Sequence, residues 1–289
     1  MFLKKINTLT LNSSDYPDQL RQIFQPPDKL YFIGSAPKSW IYKPKIAIVG
    51  SRKVSSYGKE VTENLAADAA QAGMVVISGL AYGVDAIAHE AALRSNGCTV
   101  AVMAGGLDKI YPAAHYGLAK RIIDSGGCII SEHPANTRIY KASFIARNRM
   151  VSGLADGLLI TEAAERSGTL STVRFALEQG KTVMAVPGNI NSPTSIGCNN
   201  LIKSGALPVT TPQDIFFALN VEPVKKFEKS LRGTPEQEAI LELIASGVSS
   251  QEELAIFSRL ETSTVNLTLT SLEIEGFIRP QGNGRWTIA

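Results

Sequence analysis

From Lys45 onward, short apolar runs alternate with longer stretches of mixed polarity. Ile46-Ala47-Ile48-Val49, Val75-Val76-Ile77, Val100-Ala101-Val102-Met103, Ile129-Ile130, Leu158-Leu159-Ile160 and Val183-Met184-Ala185-Val186 are apolar at every position. Continuous runs of this length, without polar alternation, are the pattern of strands buried on both faces. Between them lie segments long enough for helices, such as Lys59 to Gln71 and Asp85 to Arg94. Strands alternating with helices predict an α/β fold, a Rossmann-like doubly wound and mostly parallel sheet. Gly73, Gly97, Gly126 and Gly180 stand where the helices should stop, the positions that favour a left-handed residue.

The flanks follow a different rhythm. Residues 1–44 carry Pro17, Pro26, Pro27 and Pro37 among short apolar pieces and read as a lead-in packed on the core domain, 45–219. Residues 220–233, with Lys225, Lys226 and Lys229, read as a linker. Residues 234–289 then give a helix, a Ser-Ser-Gln-Glu-Glu-Leu cap, a second helix and the periodic run from Val265 through Leu269 and Leu272 to Phe277. A hairpin across Gly282-Asn283-Gly284 closes the outline of a small C-terminal winged-helix domain.

Charge separates the two parts. Four arginines and eight glutamates fall between Leu231 and Ala289, a net −4, so with the chain at +3 residues 1–230 carry +7. A basic large domain beside an acidic small one predicts that only the first meets a polyanion. The helix expected at Thr262 to Glu275 contains no Lys or Arg, so a duplex-reading role is not expected of it. Cys98, Cys128 and Cys198 are far apart and form no Cys-x-x-Cys pair, which predicts buried thiols, no disulfide and no metal. No apolar run approaches the roughly 18 residues of a membrane span, and Lys4 and Lys5 precede no apolar stretch. The expected location is cytoplasmic.

Ligands of an open parallel sheet bind beyond the carboxyl ends of its strands. Those ends carry Gly50-Ser51-Arg52, Ser78-Gly79, Gly105-Gly106, Ser167-Gly168-Thr169 and Pro187-Gly188. Glycines admit a phosphate to the backbone, and hydroxyls and helix amides donate to it. The dinucleotide fingerprint Gly-x-Gly-x-x-Gly is absent, because Arg52 occupies the second glycine position. No Walker loop and no Gly-x-Ser-x-Gly elbow occurs either. Lys141, Phe144, Arg147, Asn148 and Arg149 gather cations and one aromatic face within nine residues, a combination suited to phosphates and a stacked base. Equally, Phe144 could be core and the arginines a solvated helix face. Asp85 and His89, at i and i+4, are read as a helix-start residue and a structural hydrogen-bonder rather than an acid–base pair.

Together Gly50-Ser51-Arg52, Ser78-Gly-Leu-Ala-x-Gly-Val-Asp85 with His89, Gly106-Leu-Asp-x-x-Tyr-Pro112, Ser131-Glu132, Phe144-x-x-Arg147-Asn-Arg149, Ser167-Gly-Thr and Ala185-Val-Pro-Gly188 resemble the DNA processing protein A family, also called Smf. The resemblance runs from about Tyr16 to the C-terminus. It implies a non-catalytic, cofactor-free protein that binds single-stranded DNA, dimerises, protects incoming strands and loads the RecA recombinase during natural transformation. It also implies that Arg52 is the central phosphate ligand, with Ser51 and the Gly168 and Thr169 amides beside it. Lys141 would hold a neighbouring phosphate and Phe144 would touch a base. The chain departs from the pattern after Tyr111-Pro112, where Ala113 and His115 replace a basic residue or asparagine. An enzymatic alternative is a nucleoside-monophosphate phosphoribohydrolase on a similar sheet. That family places a glutamate where this chain has Ser171 and Thr172, so the acid its chemistry requires is missing.

Overall fold

The computed structural model describes residues 5–222, 233–245, 248–282 and 284–288. Most of the expected linker and Asn283 of the expected hairpin turn lie outside them. Two compact units are present, Met1–Lys226 and Phe227–Ala289.

The first unit is built on a nine-stranded sheet: β1 (Asn7–Thr10), β2 (Lys29–Gly34), β3 (Lys45–Val49), β4 (Val75–Ser78), β5 (Thr99–Val102), β6 (Cys128–Ser131), β7 (Gly157–Ile160), β8 (Thr182–Ala185) and β9 (Leu207–Pro208). Its spatial order is β1-β2-β6-β5-β4-β3-β7-β8-β9. Every pairing from β6 to β9 is parallel, and the six runs read from the sequence supply six of these seven strands. The helices are α1 (Asp18–Arg21), α2 (Ser56–Gln71), α3 (Val84–Arg94), α4 (Tyr116–Asp124), α5 (Lys141–Leu154), α6 (Thr169–Glu178), α7 (Ile196–Lys203) and α8 (Pro212–Ala218).

Alternate residues of each strand enter opposite layers, because successive side chains leave a strand on opposite faces. Ala47 and Val49 pack with Met150, Leu154 and Val173 of α5 and α6, whereas Ile46 and Ile48 pack with Leu65, Ala69 and Ala88 of α2 and α3. Both faces are therefore covered, as a parallel sheet requires.

The lead-in does more than pack on the core. β2 pairs antiparallel with β6, and β1 with β2. Leu30 and Ile33 are fully buried, so the run Leu30-Tyr31-Phe32-Ile33 has the apolar surface of an internal strand. It also satisfies the outer hydrogen-bonding edge that β6 would otherwise expose. One helix stop differs from expectation too. After α3 the left-handed residue is Asn96 (φ 53°), while Gly73, Gly126 and Gly180 take positive φ as expected.

The second unit contains α9 (Pro235–Ala245), α10 (Gln251–Ser258), α11 (Thr262–Ile274) and the hairpin β10 (Ile278–Gly282) with β11 (Arg285–Ile288). Ile240, Leu254, Val265, Leu269, Leu272 and Ile278 form its own core. This is three helices and a wing.

Candidate functional site

After β3 the chain moves outward through β4, β5 and β6, then returns to the other side of β3 as β7, β8 and β9. The connections leaving β3 and β7 thus diverge, and a crevice opens between them at their carboxyl ends. A cleft of about 920 Å³ lies there, reached by Gly50, Ser51, Arg52 and Lys53 after β3, by Arg166, Ser167, Gly168 and Thr169 after β7, and by the first turns of α5.

The turn after β3 is clamped from both sides. Ser51 N donates to Glu162 O beyond β7 (2.7 Å), and Val84 N at the start of α3 donates to Ser51 O (3.1 Å). Gly83 has φ +75°, and a side chain there would strike the Ser51 carbonyl and the Arg52 backbone, so only glycine permits this approach. The Ser51 hydroxyl donates to Lys53 O (2.8 Å) and accepts from Lys53 N (3.1 Å), closing the turn on itself. What remains for a ligand is Arg52, exposed, with its guanidinium carbon 5.4 Å from the Phe144 ring centroid. The Tyr111 ring lies 5.6 Å from that of Phe144, at 50°. A cation and two aromatic rings therefore share one wall.

The opposite wall is the start of α6. Thr169 donates its hydroxyl proton to Gly50 O (3.0 Å), and its amide is accepted by Ser167 Oγ (3.2 Å). The Thr169 amide is thereby occupied, whereas the amides of Arg52, Arg166, Ser167 and Gly168 have no hydrogen-bond partner among the described residues. Neither α5 nor α6 has an acidic residue in its first turn, and α5 opens on the exposed Lys141. A helix start normally attracts a carboxylate, so two bare ones facing a cleft leave a local positive potential for an external anion. Five cations and one carboxylate line the cleft: Arg52, Lys53, Lys141, Arg147 and Arg166 against Asp85.

Asp85 and Arg147 form the floor, and both are buried. The Asp85 carboxylate accepts from Gly79 N (3.0 Å) and Ala81 N (3.3 Å). Arg147 Nη1 donates to the carbonyls of Gly79 and Val102, tying together the ends of β4 and β5. Burial pushes the Asp85 carboxyl above its ordinary range, an effect opposed by the positive charge of Arg147. Burial likewise pulls the Arg147 guanidinium down to about 10, which leaves it charged at neutral pH. Asn148 bridges from Arg147 Nε (3.2 Å) to the Ser171 hydroxyl (2.9 Å), joining α5 to α6.

Of the residues singled out in the sequence, Gly50, Ser51, Arg52, Lys141, Phe144, Arg147, Asn148, Ser167, Gly168 and Thr169 come together here. Four do not. Gly79 lies beneath the Arg147 guanidinium, which leaves no room for a side chain. Gly106 packs against Pro134 and Asp108, and Gly188 lines a separate depression with Ser55 and Tyr57. Arg149 is buried in a two-pronged ion pair with Glu132 (2.7 and 2.6 Å) and donates to Gln25 O (3.0 Å), which corrects its reading as a phosphate ligand. Arg147 is corrected in part, since it borders the cleft but donates to backbone carbonyls. Residues two apart on a helix project about 200° apart, so the pair could not both face one ligand. Sequence reasoning also missed Lys53, Arg166 and Tyr111; for the first two the signal was adjacency to Arg52 and Ser167.

His89 lies off the cleft, fully buried on α3, its Nδ1 2.6 Å from Thr99 Oγ1. Thr99 gives its own proton to Val76 O (2.7 Å), so Nδ1 is the donor in this contact. Burial holds the imidazole neutral, its pKa drawn down to about 3. Among the described residues no group of histidine, cysteine and acidic side chains could hold a metal ion, and no helix is long and apolar enough to cross a membrane.

Fold and cleft define an α/β protein of the doubly wound class, with a cation-lined cleft at its switch point. The chain belongs to the DNA recombination-mediator protein A family, whose model matches residues 7–220, and a DprA winged helix domain model matches residues 228–284. The chain is 38% identical over 226 residues to the DNA processing protein DprA of Bacillus subtilis, covering 77% of this chain and 75% of that one. It is 42% identical over 204 residues to Protein Smf of Escherichia coli, covering 71% of this chain and 54% of that protein. Among solved structures it resembles DNA processing protein A from Streptococcus pneumoniae, with TM-score 0.69, 37% identity and 74% of each chain covered. It also resembles that of Helicobacter pylori, whose structure was described for its single-stranded DNA binding mode, with TM-score 0.68, 33% identity, 75% of this chain and 97% of that one covered.

Proposed function

We propose that this protein binds single-stranded DNA along the switch-point cleft, without sequence preference and without chemistry on the strand. Serving as a recombination mediator, it protects incoming strands and hands them to the RecA recombinase during natural transformation, acting in the cytoplasm as a homodimer. The observation that carries this reading is the wall formed by Arg52, Phe144 and Tyr111 opposite the bare start of α6. Cations and free amides meet the backbone phosphates while a ring offers its face to a base, and neither contact distinguishes one base from another. The membership of the family and the single-strand binding of the Helicobacter pylori relative support it. Ser171 and Thr172 line the cleft where a phosphoribohydrolase would need its acid, which weighs against the enzymatic alternative.

The test is a salt titration on labelled oligo-dT, with matched duplex as control. Affinity for the single strand should fall by about 0.7 log units per decade of salt for each phosphate contacted. Arg52→Ala should weaken binding and flatten that slope by about one such increment. Failure of the protein to bind either DNA would sink the reading and direct attention to small phosphorylated ligands.

A further inference from the structure

The cleft does not end the row of rings. Its rim includes Ala81 and Tyr111, and the chain leaves both points toward a second aromatic pair. Tyr82 follows Ala81 directly. His115 closes the 3-10 turn Ala113–His115 that begins just after Tyr111-Pro112. Their ring centroids are 4.8 Å apart, edge to face at 67°. Three independent constraints hold this pair in place. His115 Nδ1 lies 2.8 Å from Leu80 O, and since a carbonyl only accepts, Nδ1 carries the proton and fixes the ring. Leu80 is fully buried at φ +58°, a left-handed conformation that costs a leucine of order 1 kcal/mol and persists only where its surroundings impose it. Gly83, on the other side of Tyr82, is seated against the Arg52 turn. Yet Tyr82, held on both sides, is half exposed as a residue, at 50%. At most about 14 Å of backbone separates Tyr111 from His115.

We propose that Tyr82 and His115 form a second stacking station, which takes a base of the same strand beyond the one held at Phe144. The proposal rests on the single-strand reading above. It extends the occupied path along the carboxyl edge of the sheet, from the β3–β7 crevice toward β4. The chemistry is that of Phe144, a π-face that accepts any base, so the second station adds affinity and length dependence without sequence preference.

The experiment measures the affinity of the full chain for dT oligomers from about four to about sixteen nucleotides, the span over which single-strand binders fill their sites. Tyr82→Ala should bind the shortest oligomers like wild type and lose roughly 5- to 150-fold on those long enough to reach the second station. Tyr82→Phe keeps the ring and should match wild type at every length. Wild-type affinity of Tyr82→Ala at all lengths would overturn the proposal. So would an equal loss at all lengths, which would make Tyr82 a prop for the Arg52 turn, or a loss in Tyr82→Phe, which would move the effect to the hydroxyl. Arg52→Ala run on the shortest oligomer separates the two ideas. If it binds like wild type, the cleft reading has failed; if it alone is weakened there, any failure belongs to the second station.

Discussion

Replacing Arg147 by methionine removes the guanidinium that ties Gly79 O to Val102 O and leaves the buried Asp85 carboxylate without its main opposing charge. Breaking one partner out of a buried ionic arrangement costs about 3–5 kcal/mol, far more than the arrangement contributes as a whole. For a unit of over 200 residues each kcal/mol moves the melting temperature by about 2–4 °C, so the variant should melt about 6–20 °C below wild type at neutral pH. Acid should shrink the gap. Asp85 already sits above the ordinary carboxylate range, and loss of Arg147 drives it higher, so proton uptake on acidification favours the folded state. That gain is complete below the ordinary carboxylate pKa and is lost as pH rises through the folded value. Asp85→Asn keeps an oxygen for the Gly79 and Ala81 amides, and the Arg147→Met/Asp85→Asn pair should recover more than half of the single variant's loss. Thermal melts of the four proteins at neutral and mildly acidic pH decide the matter. A single variant within about 2 °C of wild type, or losses that simply add in the double, would refute the reasoning.

Lys141→Ala should lower the salt slope on oligo-dT by about 0.7, whereas Phe144→Ala should cost about 1–3 kcal/mol with little change of slope; a reversed pattern would exchange their roles. Arg149→Ala breaks the buried pair with Glu132 and should lower the melting temperature while leaving the salt slope unchanged, and a flattened slope would return Arg149 to the DNA site. His89 stays neutral in the folded protein down to about pH 3, while the unfolded chain takes a proton near 6.5. Stability should therefore fall by about 1.4 kcal/mol per pH unit below about 6.5, and His89→Asn should lose that slope in acid denaturation curves; an unaltered slope would locate the titrating group elsewhere.

What the sequence made legible depended on how many neighbours a residue's role involves. The central strands are apolar at every position, and that pattern has one structural solution, so β3 to β8 could be read directly. Leu30-Tyr31-Phe32-Ile33 carries a similar signal, yet the prolines around it obscured that β6 still had an open edge. The turn after β3 was legible because Gly50-Ser51-Arg52 is local chemistry. The arginines of α5 were not: Arg52 and Arg147 look alike as letters, and only the packing of β4 and β5 beneath α5 turns one outward and encloses the other. Asn96 in place of Gly97 as the left-handed residue has the same origin. Either residue tolerates that conformation, and the close approach of α2 to Gly97 selects between them. Lys53 and Arg166 became visible as cleft residues only once the two turns faced each other.

The two margins of the large sheet have a bearing on assembly. At one side β1 is four residues long and half-covered; at the other β9 is two residues long and ends on Pro208, which has no amide proton to offer. Both margins are short, and the proline of β9 withdraws a donor as well, so neither is a good template for a further strand. The seven strands that would aggregate most readily if laid open are thus kept away from intermolecular pairing. Association of copies through this sheet would therefore rest on side chains, as sensitive to surface substitution as it is indifferent to backbone register.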